Sequence, residues 1–241
     1  TVTNEMRHEP GSYPAVSAAG ILINNIMNNN IMNNNIMNYT TIPSIAVISK
    51  TADALRARGV EVFVAENRAE ALAKVKDIIP NGATINNGSS VTLGEIGLIE
   101  YLKSEVHGWK NLHAAVVAEK DPAKQALLRK EAIFAEYYIG SVHAIAETGE
   151  MIIASASASQ LPPIVSTSPN LIFVAGAQKI TPTYEDAMKR VREHVVPLED
   201  KRMKDVGMGG TVLAKIVTFE REPVFTGRVV RMILVKEKLG F

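Results

Sequence analysis

The chain has no cysteine. That excludes disulfides, thiolate zinc sites, iron–sulfur clusters and a cysteine nucleophile. Aromatic residues make up only 5%, too few to build stacking platforms for single-stranded nucleic acid. Neither charge is in excess: 26 basic residues against 25 acidic ones leave a net charge of +1. Neither nucleic acid nor a membrane surface is therefore expected as a partner. No apolar run approaches the ~20 residues needed to cross a bilayer. The apolar stretch at 21–23 is too short for a signal-peptide core, and the expected location is the cytoplasm. The five histidines show no HxxxH or HxH spacing, so no metal site is expected. Neither a Walker loop nor a GxGxxG fingerprint is present, and no cofactor is assigned.

What remains is the composition of a globular protein: 46% hydrophobic and 21% charged over 241 residues, enough for a substantial core. The first 38 residues stand apart. Residues 24–38 read NNIMN three times over, a five-residue period that matches neither helix nor strand. This segment is read either as a poorly ordered Asn-rich leader or as an arm that packs on a partner subunit through its Ile and Met residues. Residues 39–241 are read as one α/β domain.

In that domain helical and strand patterns alternate. Helices are predicted over 46–58, 69–79, 92–104, 121–138 and 183–195, with a further segment over 198–205. Strands are predicted over 60–64, 83–87, 114–118, 142–145, 151–154, 171–175, 212–220 and 228–237. Asp121-Pro122 is a helix start, with Asp as N-cap and Pro in the first turn. This alternation predicts a largely parallel sheet covered by helices on both faces. The last two strands have no helix between them and are expected to pair as an antiparallel hairpin at one edge.

Two segments have the residue types for chemistry. The first, Gly88-Ser89-Ser90-Val91-Thr92, follows a strand and opens a helix. Its glycine permits close backbone approach, and its hydroxyls and N–H groups suit an anion at the carboxyl end of a parallel strand. It is equally readable as a capped helix start, with Ser90 or Thr92 as N-cap and Glu95 completing a capping box. The second is the turn Glu147-Thr148-Gly149-Glu150 between two apolar strands. Paired carboxylates whose pKa values are driven apart supply an acid and a base. The small polar run that follows, with Ser157, Ser159 and Gln160, leaves room for a ligand; the alternative is a solvated hairpin tip and surface loop. Lys179, just past the 171–175 strand, is read as a carboxylate or phosphate contact or as a solvated lysine. The 207–211 loop has glycines that either cradle an anion or only shape the approach to the next strand. His143 either pairs with a carboxylate or is a satisfied core histidine.

The run GSVHAIAETGE at 140–150, the SQLPP after it and the ending LVKEKLGF at 234–241 resemble the LUD domain, the lactate-utilisation family. The GSSVTL loop at 88–93 and DPAKQA at 121–126 match it too. The resemblance covers about 42 to the C-terminal end of the sequence. It implies a fold like those of ribose-5-phosphate isomerase, glucosamine-6-phosphate deaminase and the CoA transferases. It also implies a link to oxidation of L-lactate to pyruvate, in complexes whose iron–sulfur clusters sit on another subunit. A chain without cysteine looks like a standalone, cluster-free member. CoA transferases of similar fold use a glutamate in a Glu-Asn-Gly turn as nucleophile, and Glu147-Thr148-Gly149 looks similar in type. The expected site is thus a cleft between the 88–92 loop and the 147–150 turn. Glu147 would be base or nucleophile and Glu150 its partner; Thr148, Gly149, Ser157, Ser159 and Gln160 would line it, and Lys179 would hold a small carboxylate or phosphorylated metabolite. The alternative is a non-catalytic subunit that docks on redox partners of a lactate-oxidising complex. A homo-oligomer fits either reading.

Overall fold

The computed structural model describes residues 37–104 and 106–241. Nearly all of the NNIMN tract lies outside them, so neither reading of it is addressed. Residues Tyr39–Phe241 form one compact unit.

Helix α1 (Ile45–Ala57) starts where Ser44 caps the Val47 N–H at 3.3 Å, and it buries Ile48, Ala52 and Leu55 on one stripe. Strand β1 (Val60–Ala65) follows. Helix α2 (Arg68–Ile78) is capped by Asn67, and strand β2 (Thr84–Asn87) ends at Gly88. The helix expected over 92–104 is two short ones, α3 (Val91–Glu95) and α4 (Leu98–Lys103), split at Gly97 with φ +82°. Next come β3 (Lys110–Asn111), α5 (Leu112–Ala118), α6 (Pro122–Ala132) and β4 (Tyr137–Gly140). Strands β5 (Ala144–Ala146) and β6 (Met151–Ser155) flank the carboxylate turn, and β7 (Asn170–Gly176) and β8 (Ile180–Thr181) follow. Helix α7 (Tyr184–Arg190) runs through a wider π turn at Val191–Val195 into α8 (Val196–Asp205), with Pro197 in its first turn. Strands β9 (Lys215–Phe219) and β10 (Val229–Val235) close the chain.

Six strands form an all-parallel sheet in the order β1-β10-β7-β4-β2-β3. The period of two divides its side chains between two cores. In β7, Leu171, Phe173 and Ala175 face one core while Ile172 and Val174 face the other. In β10, Val230, Met232 and Leu234 oppose Ile233 and Val235. Helices α2, α3 and α4 close the second core. Helix α1 and a smaller sheet, in the order β8-β5-β6-β9, close the first. The smaller sheet's outer face packs Ala144, Ile152 and Ala154 against Ala187 and Val191 of the α7 region. Each fully buried aliphatic side chain contributes roughly 1.5–3 kcal/mol, so the continuous apolar strands dominate the stability. The expected parallel sheet with helices on both faces is present.

Three further expectations fail locally. Residues 114–118 are helix rather than buried strand: Asn111 caps the Ala114 N–H at 3.1 Å, and only Val116 is buried in α5. The helix opened by Asp121 stops at Ala132, and Tyr137–Gly140 becomes an interior strand of the large sheet. The two closing strands both form but do not pair: β9 lies antiparallel to β6, while β10 fills the gap between β1 and β7. A buried ion pair between Arg228 and Glu222 marks the connection between them.

Candidate functional site

Strands β10, β7, β4 and β2 are consecutive neighbours in the parallel sheet, so the segments that follow them emerge side by side at its carboxyl edge. After β2 comes the loop leading to Thr92, and after β4 come Ser141 and Val142. Gln178 and Lys179 follow β7, and Leu239 and Gly240 follow β10. These four segments meet at one amine. Lys179 is 4% exposed, and its Nζ lies 3.0 Å from Thr92 Oγ1, 3.1 Å from Ser141 Oγ and 3.0 Å from the Val142 carbonyl oxygen. Among the described residues no carboxylate forms an ion pair with it.

The segment Leu239-Gly240 lies across this cluster as a strap. Gln178 clasps it from both sides, donating to the Leu239 carbonyl at 2.8 Å and accepting from the Leu239 N–H at 3.2 Å. The Gly240 N–H donates to Glu95 at 2.6 Å. A side chain at Gly240 would start 2.4 Å from Thr92 Oγ1 and 3.3 Å from Lys179 Nζ, so only glycine lets the backbone pass this close.

Burial first, then the Arg190 charge, lower the Lys179 ammonium to about 7, against a smaller opposing effect of Glu95. Arg190 is itself fully buried without an acidic partner: it donates to the carbonyls of His143 and Tyr39, and its Nε has no partner among the described residues. His143 is the satisfied core histidine of the two readings. Its Nδ1 accepts the Ala154 N–H at 3.0 Å, and burial, with Lys179 and Arg190 nearby, pushes it down to about 3, so it is neutral. A second orphan lies at the same sheet edge: Asn87 Oδ1, at the end of β2, is buried and has no partner among the described residues. Beside it, the Tyr138 hydroxyl fills the space where a side chain at Gly88 would begin.

Of the sequence-predicted residues, Gly88, Ser89, Ser90, Thr92 and Lys179 lie at this edge, though only Thr92 touches the amine. Ser90 is the N-cap of α3, accepting from the Leu93 N–H at 3.3 Å, and Ser89 is exposed. Glu95 does not close a capping box; it holds the strap instead. Ser141 and the strap were not assigned by the sequence reading. The strap lies just beyond the strand expected over 228–237, and that was its available signal; Ser141 had none, because the residues before it were not read as a strand.

The Glu147–Glu150 turn lies elsewhere. Ser141 and Val142 precede the N-terminal end of β5, whereas the turn leaves its C-terminal end. Both carboxylates are ion-paired to helix α1 or its cap, Glu147 to Lys50 at 2.8 Å and Glu150 to Arg58. Arg58 also donates to the Thr148 carbonyl at 2.7 Å and to the Glu220 carbonyl at 2.8 Å. Burial alone would raise the Glu150 carboxyl, but the Thr148 hydroxyl, a backbone N–H and Arg58 together hold it below the usual range. Gly149, with φ +95°, packs so tightly on α1 that a Cβ would lie 3.0 Å from the Ala54 carbonyl oxygen. This turn is a clamp between the smaller sheet and α1. Among the described residues no hydrogen bond or ion pair joins this turn to the 88–92 loop, and its carboxylates are taken up by α1 and the residue that caps it.

Ser157, Ser159 and Gln160 form a self-contained turn after β6. Ser157 donates to Ser159 at 3.1 Å, and Gln160 reaches back to the Ala154 carbonyl at 3.1 Å. None is among the hydrogen-bond partners of Lys179. A groove of about 550 Å³ lies near the amino end of β10, lined by Val165, Phe219, Glu222 and Arg228 among others. All five Arg228 N–H groups are already committed, to four carbonyls of 163–168 and to Glu222, so the Lys179 cluster is the better place for chemistry. Among the described residues no three acidic or histidine side chains group to hold a metal, and no helix is long and apolar enough to cross a membrane.

Comparison with known proteins adds the family. The model of the LUD domain matches residues 48–208. Among solved structures, a DUF162-family protein from Deinococcus radiodurans is similar over 81% of this chain and 99% of its own, at 11% identity and a TM-score of 0.48. The beta subunit of eIF2B from Chaetomium thermophilum is similar over 49% of this chain and 43% of its own, at 11% identity and a TM-score of 0.33. No curated protein matches the sequence.

Proposed function

For this chain, which belongs to the LUD domain family, we infer that the carboxyl edge of the parallel sheet binds a small anionic metabolite, a carboxylate or phosphate, through Lys179, Thr92 and Ser141. Membership of the family suggests that the metabolite belongs to metabolism linked to lactate utilisation. One observation carries the reading: a buried amine at the convergence of four parallel strands, with hydroxyls beside it and, among the described residues, no carboxylate in an ion pair with it. Buried cations are normally paired, and an arriving anion would supply the missing partner. The orphan Asn87 Oδ1 at the same edge offers an acceptor for a hydroxyl or N–H group of the ligand.

Titrating inorganic phosphate and acetate into the protein by calorimetry tests this. Binding in the native chain, weakened tenfold or more in Lys179→Met, is the expected outcome; no binding of any small anion would sink it. The bound anion stabilises the ammonium, so binding takes up a proton and weakens as pH rises above about 7. The groups facing Lys179 near this pH are Arg190, which burial lowers only to about 10 and which is therefore charged, and Glu95; His143 is neutral.

A second reading has its own support. Val224 and Phe225, on the β9–β10 connection, are 94% and 90% exposed, as a docking surface for a partner subunit would be. Under that reading the protein is a non-catalytic subunit beside redox partners. Copurification from native extract decides: a chain that runs alone or only with its own copies leaves the docking role without support.

A further inference from the structure

We propose that Lys179 is a covalent capture site for a small aldehyde or ketone carrying an anionic group, which it binds as an imine beneath the Leu239-Gly240 strap. The proposal rests on the anion-site reading above and adds a chemical step to it.

The hydrogen bonding around the amine is the first argument. An ammonium has three N–H donors and no acceptor. Of its three partners here only the Val142 carbonyl is an obligate acceptor. The Thr92 and Ser141 hydroxyls each donate or accept, and they lie 3.4 Å from one another. The same cluster therefore satisfies the neutral amine as well as the ammonium, and no carboxylate holds the proton in place. Most structural lysines sit at the surface with a carboxylate, as Lys204 does with Asp200; Lys179 is the one buried lysine among the described residues.

The surroundings are the second argument. Val142, Ala177 and Leu239 are buried apolar neighbours along the chain, and the strap covers the amine. A dry site favours loss of water from a carbinolamine and protects the imine from hydrolysis. The step is balanced within the site. The amine lone pair forms the C–N bond as the carbonyl π pair moves to oxygen. One proton passes from nitrogen to that oxygen through the Ser141 or Thr92 hydroxyl. Water then leaves as the nitrogen gives up its second proton and the C=N bond forms. Amine and carbonyl become imine and water, with no oxidant or reductant. The lowered ammonium pKa supports this: near pH 7 about half of the Lys179 amines are neutral, a fraction on the order of a thousandfold above that of an exposed lysine.

The test is reductive trapping. The full chain is incubated at pH 7 with glyoxylate and cyanoborohydride, and carboxymethylated lysines are mapped by peptide mass spectrometry. Lys179 is expected to saturate and to be modified about tenfold or more faster than exposed Lys50. Gly240→Ala, whose methyl displaces the strap from Thr92, is expected to speed modification of Lys179 without changing that of Lys50. Inorganic phosphate is expected to slow it. Adducts confined to exposed lysines in both the native chain and Gly240→Ala would overturn the proposal. If phosphate binds by calorimetry while Lys179 stays unmodified, covalent capture falls and the anion site stands; if neither occurs, both fall.

Discussion

At the C-terminal end of strand β5 the chain gathers Lys50, Arg58, Glu147 and Glu150 around one turn, and every charge there finds an opposite partner within 4 Å. At the N-terminal end it buries an amine among two hydroxyls and a carbonyl, with a second uncompensated cation, Arg190, nearby. Read from sequence alone, the first cluster is the more active-looking of the two. Read from geometry, it is the one whose electrostatics are already satisfied. Compensated charges hold elements together; an uncompensated buried charge leaves interaction unfilled, and a ligand can fill it. The difference is measurable through pH and substitution.

The largest expected effect belongs to Lys179. Its folded-state pKa, about 7, lies below that of an unfolded lysine. The folded state therefore binds fewer protons than the unfolded one between about 7 and 10.5, and stability rises with pH across that window. Below about 7 the penalty for burying the charge is complete. Urea unfolding of the native chain is expected to lose about 2–3 kcal/mol relative to Lys179→Met on going from pH 9 to pH 6. Parallel pH profiles for the two proteins would show that the amine is not buried as a cation, and the contrast between the two ends of β5 would disappear.

Arg58→Ala tests the opposite end. It removes bonds to the Thr148 and Glu220 carbonyls and leaves the Glu150 carboxylate, 15% exposed, without its cation. A loss of about 2 kcal/mol at neutral pH is expected, with phosphate affinity unchanged. Glu150 adds the acid limb. Its carboxyl is depressed in the fold, so its contribution is present above the unfolded carboxyl pKa and fades as pH falls through the folded value. Arg58→Ala should flatten that limb. If the variant instead abolished anion binding at full stability, the turn would have to be moved back into the site.

These predictions also mark what the sequence could carry. The strands 171–175 and 228–237 were legible because a run of apolar residues flanked by turn signals has few other uses in a chain that alternates helix and strand. The run at 114–118 was not, because a short apolar stretch fits a strand or a helix equally; the Asn111 cap and an exposed outer face decided for helix. Residues 137–138 were read as the end of the preceding helix and 139–140 were left unassigned, because four residues are too few for a strand pattern to stand out; Ala132 ends that helix, and the strand is drawn between β2 and β7 by tertiary pairing. For the site, Lys179 and Thr92 were legible as strand-end residues. Ser141 and Gly240 were not joined to them because their meeting depends on the order β10-β7-β4-β2, which chain order does not reveal.

Ser90→Ala and Glu147→Gln are the smallest changes and the finest test of the contrast. Ser90 caps α3, so its loss is expected to cost about 1 kcal/mol and to loosen the approach to Thr92. Glu147→Gln removes only a surface pair, since Lys50 is 66% exposed, and under about 1 kcal/mol is expected. The informative reading is the ratio of ligand affinity to stability in each variant. Ser90→Ala should weaken phosphate binding measurably because it acts on the loop that carries Thr92. Glu147→Gln should leave binding where it was, because its carboxylate is paired with Lys50 of α1. A Glu147→Gln protein that kept its stability and lost its ligand would return the glutamate turn to the centre of the chemistry.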